Sequence, residues 1–488
     1  MMVVAGAPAA AAPAAAPVVK APAADVAAPA AAVKDAPASF RFGLDERIRE
    51  EITDGISSTP STAASKIVKN DYFRFRTRLW AEFDPMNNVT VRARIANEWR
   101  KWQDPDKAGV ADCATYAFPD EFVVDTLYLQ VKGFMPNGKG QIRIGRQDIT
   151  DLSGRIIMDG TPEDGSRTMF FNAVRITCDT IQDTTIDLVG IYNTPKDVIP
   201  LNQVETTPKE RTDGRDLTGF TGGFDEMTES GGGIYLKNKS IKDLPCEVYG
   251  FYKQESEWND TTAATNSKGT YTVTKDWQTG DVAKKCIVNA KSDIYVAGAK
   301  VQPQLAKGLK GSAEAAYEFG ERGSADLAAY MMDVGLSYVL PVSESMAPTI
   351  CASWYYLSGD DPTTANKDEG WTPPWARYPQ DSEILVLTVP RGKWSNLSMP
   401  TAKFVVAPCK FAKVTLAASL CTAPEASATG DEIGWLYLAR ADMTIKEGLL
   451  KKNDKLTALI HYEVLEPGDY FVSQDQAYFA RFEVGYVY

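Results

Sequence analysis

The sequence predicts an all-β fold: one large antiparallel up-and-down transmembrane β-barrel of about 18 strands. Three observations predict it. The closing stretch, Phe479 to Tyr488, alternates, with Phe482, Val484, Tyr486 and Tyr488 on one face and Arg481 and Glu483 on the other. An outer-membrane barrel needs such a strand to close its cylinder, apolar side to lipid and polar side to the lumen. The second is the hairpin at residues 71–102. Phe73, Phe75, Leu79 and Phe83 oppose Arg74, Arg76, Arg78, Trp80 and Glu82, Asp84-Pro85-Met86-Asn87-Asn88 turns, and Val89, Val91, Ala93 and Ile95 oppose Arg92, Arg94, Glu98 and Arg100. A two-faced hairpin with a short turn is the repeating unit of an up-and-down barrel. The third is hydropathy. Of 488 residues, 44% are hydrophobic, mean hydropathy is -0.25, and no apolar run reaches the 18 residues that a spanning helix takes. A barrel escapes that test because every second residue meets lipid.

Taken in order, residues 1–38 are mostly Ala, Pro and Val, with charge only at Lys20, Asp25, Lys34 and Asp35. Such proline density breaks helices and favours extended chain, so this arm is expected to be disordered. It reads as a periplasmic tether that would reach the cell wall, or as a residual signal region without its positive start. The barrel then occupies 39–488. After a strand near 40–49 and the first hairpin, alternation marks strands near 121–132, 140–147, 169–178, 184–193, 233–238, 246–255, 292–303, 310–320, 327–340, 346–357, 383–390, 402–409, 411–421, 432–445, 454–465 and 475–488. Short turns such as Pro136-Asn137-Gly138-Lys139-Gly140 are expected to face the periplasm. The long connections 103–120, 194–232, 256–290 and 358–382 are expected outside. The glycines at 219, 222, 223 and 231–233 form no phosphate-binding loop.

Seven cysteines show no C-x-x-C spacing, so neither zinc nor redox chemistry is signalled; Cys409 and Cys421 form the nearest local pair. Ten Trp and 21 Tyr suit interfacial girdles, and a net charge of -12 argues against nucleic-acid binding. Tandem soluble sandwiches would alternate too. The barrel is preferred because the polar faces concentrate arginine rather than Ser/Thr/Lys surface filler.

That concentration is the main candidate site. Arg74, Arg76 and Arg78 share one strand face at about 7 Å spacing, with Arg92, Arg94 and Arg100 beside them and Arg143 and Arg175 further on. Guanidinium groups stay charged and grip oxyanions bidentately, so the wall suits carboxylates or sulfates. The same ladder paired with Glu82, Glu98, Glu121, Asp125 and Asp187 would instead simply brace the wall. Ser358-Gly359-Asp360-Asp361-Pro362 lacks the ligand spacing of a calcium loop and reads as an Asx turn. His461 is the one histidine, there is no G-x-S-x-G elbow, and no enzyme, cofactor or metal is expected.

Four stretches resemble the alginate-export outer-membrane proteins. They are Glu121-Phe122-Val123-Val124-Asp125 followed by Ile142-Arg143-Ile144-Gly145-Arg146-Gln147; Ser358 to Pro362 leading to Trp371-Thr372-Pro373-Pro374-Trp375-Ala376-Arg377-Tyr378-Pro379; Glu432-Ile433-Gly434 to Gly448-Leu449-Leu450; and Ala458-Leu459-Ile460 followed by Glu466-Pro467-Gly468-Asp469-Tyr470-Phe471. The resemblance implies an 18-stranded barrel passing an anionic polysaccharide through an arginine-lined pore. Asp125, Arg143 and Arg146 stand at matching positions. His461-Tyr462-Glu463 departs, standing where that family carries Arg-x-Arg toward the pore. The functional expectation is a passive outer-membrane channel, in a shell of lipid and lipopolysaccharide, for anionic or polar solutes such as acidic saccharides. The chain is expected to act as a monomer. The alternative is a structural or display barrel with a loop-plugged lumen.

Overall fold

The computed structural model describes residues 38–57, 67–103, 116–117, 122–158, 170–193, 228–256, 273–275, 282–284, 291–376, 381–388 and 394–488. Its main sheet is a closed antiparallel cylinder of 18 long strands, with three two- or three-residue pieces added on the loops. The strands are β1 Ser39–Ser57, β2 Ile67–Met86, β3 Val89–Trp102, β4 Phe122–Met135, β5 Lys139–Gln147, β6 Phe171–Cys178, β7 Thr184–Asn193, β8 Glu229–Asn238 and β9 Cys246–Glu255. There follow β10 Ser292–Val301, β11 Leu309–Arg322, β12 Ala325–Val339, β13 Thr349–Leu357, β14 Leu397–Cys409, β15 Ala412–Thr422, β16 Glu432–Glu447, β17 Lys455–Pro467 and β18 Ala477–Val487. Each pairs with its sequence neighbour, and β1 pairs with β18 from Asp45↔Val487 to Asp54↔Tyr478, which leaves the cylinder without an edge.

Alternation sets the two faces. On β18, Phe482 and Val484 are 48% and 50% exposed to the outside, whereas inward-facing Arg481 is 2% exposed. Leu79, Leu129, Ile144, Tyr317, Phe319, Tyr330, Trp354, Phe404, Tyr437 and Tyr462 continue the outer belt. Stacked pairs such as Tyr295–Phe319 and Trp435–Tyr437 thicken it. One end of the cylinder carries tight turns, such as Asn87-Asn88 and the 3-10 turn Pro136–Gly138. The other end carries the connections spanning 148–170, 194–228, 256–291 and 358–396. The chain is therefore a barrel of the outer-membrane type, short turns to the periplasm.

The segment 383–390, read from sequence as a strand, is instead the short helix α1, Glu383–Thr388. A brief apolar run carries no period long enough to separate strand from helix. Its removal makes the connection after β13 span 358–396. Cys409 and Cys421 do not pair either. Cys409 lies opposite Ala412, nine residues along β15 from Cys421 and so about 30 Å away, and both are free thiols. The arm at 1–37 lies outside the described residues.

Candidate functional site

The lumen is not a hollow tube. Residues 148–158, 358–376 and 381–388 fold back inside the cylinder and pack on the inner face of β6 to β16. Trp375 pairs through its backbone with Ile157, a parallel bridge between the two inserts. Trp371, Trp375, Ile149, Ile156 and Ile384 are fully buried there with Phe171, Tyr355 and Leu397. Burying an indole removes about 150–250 Å² from water, so each tryptophan holds the inserts by roughly 4–6 kcal/mol before the cost of ordering the loop. The sequence argument, polar inside and apolar outside, missed this second apolar surface within the barrel.

Polar links fix the inserts at defined heights. Arg155 donates to Asp333 on β12 at 2.9 Å and to Asp381 on the other insert, with its guanidinium 3.8 Å over the Tyr355 ring. Ser153 and Tyr249 both donate to Glu314 on β11. Ser382 Oγ, the Glu383 N–H and the Ile384 N–H all donate to the Glu463 carboxylate, which caps the first turn of α1. His461 Nε2 lies 2.8 Å from the same carboxylate. Below these links lies a cavity of about 370 Å³. Arg155, Lys300, Arg440, His461 and Arg481 line it together with Glu314, Asp333, Asp381 and Glu383.

The arginine ladder exists, and it faces inward as the alternation implied. It is also largely neutralised. Arg74 donates to Glu98 at 2.8 Å, Arg76 to Asp45 at 3.0 Å, and Arg92 to Glu82. Arg94 grips Asp148 with both terminal nitrogens, at 2.9 and 3.1 Å, and donates its Nε to Asp125 at 2.8 Å. Arg78 is 3.6 Å from Asp125, which is completely buried between the two arginines. Arg175 is held by Asp151 and Asp187. Of the counter-charges expected from sequence, Glu82, Glu98, Asp125 and Asp187 take part; Glu121, and the side chain of Arg100, lie outside the described residues.

Three further candidates are each held by specific partners. Arg143 is held by Gln130 Oε1 and sits 4.5 Å over the Tyr128 ring. Arg146 is buried, donating to the Val124 carbonyl and Asn172 and stacked over Phe170. Glu463 is fully buried beneath α1, so it anchors the insert and does not face the water path. The ladder also extends through residues the sequence reading passed over. Arg47 and Arg49 of β1 meet Glu483 and Glu51, and Arg481 of β18 bridges Glu51 at 2.6 Å and Glu383 at 2.9 Å. The odd-numbered run Asp45, Arg47, Arg49, Glu51 between Leu44, Ile48 and Ile52 was the signal available. Asp361 accepts from the Thr363 N–H and hydroxyl, which makes the Asx turn expected there.

No family model matches the chain, and no curated protein matches it. Solved structures do. Pseudomonas aeruginosa OpdQ superposes with a TM-score of 0.51 at 11% identity, over 92% of this chain and 97% of the other. A BenF-like porin from Pseudomonas fluorescens gives 0.52 at 12%, over 92% and 98%. Pseudomonas aeruginosa OpdK, solved with vanillate, gives 0.52 at 9%, over 92% and 98%. These neighbours are outer-membrane porins rather than alginate exporters, so the barrel class expected from sequence stands and the alginate-export family gains no support. What the chain shares with them is the fold: a closed 18-stranded outer-membrane β-barrel.

Proposed function

We propose that this barrel is a passive outer-membrane channel for small polar solutes, with a preference for anions. The observation that carries the reading is the charged cavity at mid-lumen. The apolar inserts fill one side of the barrel, and ionic side chains from β10, β11, β12, β16, β17, β18 and both inserts converge on what is left. Conduction wants several weak polar contacts rather than one deep site, and a wet constriction of mixed charge supplies them. The OpdK structure with vanillate supports a small carboxylate as the kind of solute. Export of an alginate-like polymer is the narrower form of this reading, and the pairing of the arginines weighs against it.

One feature favours a plugged structural barrel instead. The ladder arginines are carboxylate-bound and nearly inaccessible: Arg49 is 1% exposed and Arg78 is 3%. Planar-bilayer recording with a salt gradient separates the two readings. Stepwise current with an anion-selective reversal potential supports the channel. Current without anion preference keeps a channel and removes the selectivity. No current from heat-modifiable, folded protein supports the plug.

A further inference from the structure

The ladder arginines are neutralised, so the field that selects anions has to come from cations without carboxylate partners. Such a group lies at the periplasmic mouth, on the wall facing away from the ladder. The turns 239–245 and 302–308 fold against β11 to β14 and enclose a second cavity, of about 660 Å³. Lys239, Lys242, Lys310 and Lys403 line it, with Asp243 as the one carboxylate. Among the described residues none of these four lysines makes an ion pair, whereas Lys300, one strand away and higher in the lumen, is 3.3 Å from Glu314. Three net positive charges thus line a space that Ser312, Ser337 and Ser353 also border. Cys351 opens into the same space, opposite Lys403 in the β13–β14 register and Ser337 in the β12–β13 register.

We infer that this lysine vestibule is a binding site for small multivalent oxyanions, such as polycarboxylates or phosphate esters, and that it gives the channel its charge preference. Ammonium groups on flexible stems suit loose, exchangeable contact with anions of differing shape. Low-dielectric walls on one side focus their field into the mouth. The inference rests on the channel reading for its consequence, but the site itself can be tested without any current.

Cys351 serves as a built-in reporter. The full-length protein in detergent is treated with thiosulfonate reagents of opposite charge, one ethylsulfonate and one ethyltrimethylammonium. Modification of the Cys351 peptide is then timed by mass spectrometry. The site predicts that the anionic reagent reacts faster by about tenfold at low salt. Citrate or pyrophosphate should slow that reaction, and salt at 1 M should bring the two rates together. In the double variant K310Q/K403Q the ratio should fall to near one while the heat-modified gel shift is retained. Equal rates in the unaltered protein, or a ratio unmoved by the substitutions in folded protein, would overturn the site. Absence of bilayer current would overturn the channel reading and leave this result to stand or fall by itself.

Discussion

Arg155 is the residue on which the inner architecture converges. It joins the first insert to the wall at Asp333 and to the second insert at Asp381, with its guanidinium over the Tyr355 ring. Removing one partner from a mostly buried ionic cluster strands the others, at a cost of about 1–3 kcal/mol. Arg155→Gln should therefore raise single-channel conductance and shift the reversal potential toward cations, since two carboxylates then face the cavity alone. Unchanged conductance and selectivity would mean that Arg155 only braces the wall. Glu463→Gln tests the second anchor. The carboxylate takes three hydrogen bonds from Ser382, Glu383 and Ile384, and an amide oxygen can accept fewer of them. Recordings should show added open-channel noise as α1 loosens, while the barrel's heat-modification temperature should barely change.

At the scale of elements, the turn between β16 and β17 shows how a connection can be locked by one side chain. Asp454 accepts the N–H groups of Leu449, Leu450 and Lys451 and the hydroxyl of Tyr486. Burial pushes its carboxyl up, but these four donors outweigh that and hold it down at about 2. A carboxyl depressed below its unfolded value near 4 stabilises fully above that pH and loses the contribution as pH falls through about 2. Between pH 4 and 2 the wild-type barrel should lose thermal stability that Asp454→Asn lacks from the start, so the two melting curves should converge in acid. Parallel curves would contradict the role.

The strands and turns were legible because the outer half of each strand obeys one rule, apolar toward lipid, and because Arg74, Arg76 and Arg78 on the inner half break any soluble pattern. The inserts were not. Trp371-Thr372-Pro373-Pro374-Trp375 stood out only as a motif, and nothing local says that its tryptophans are buried within the barrel. Residues 383–390 read as a strand because Ile384, Leu385 and Val386 give apolar, β-branched content without enough length for a period. The ladder was readable as a row of cations. Its partners on neighbouring strands, such as Glu82, Glu98 and Asp125, were readable too; the pairing of Arg47, Arg49 and Arg481 was not, because it depends on β1 and β18 meeting through the closure of the sheet, more than 400 positions apart in sequence.

For the whole molecule, lipid and water divide along single strands. Val484 lies between Ile48 of β1 and Ala458 of β17 on the outer face. Val484→Arg should destabilise the barrel by about 2–4 kcal/mol, as cations do near the bilayer midplane, and lower the temperature of its gel shift. An unaffected gel-shift temperature would deny that this face meets hydrocarbon. The inner balance is also a property of the whole. Apolar inserts pack on the side of β6–β16, paired arginines line β1–β3 and β18, and lysines occupy the periplasmic mouth.

The most direct test of the account is single-channel recording of the purified full-length barrel in a planar bilayer under a salt gradient. Discrete steps with an anion-selective reversal potential are predicted. A folded, membrane-inserted barrel that passes no current, or that prefers cations, would contradict it.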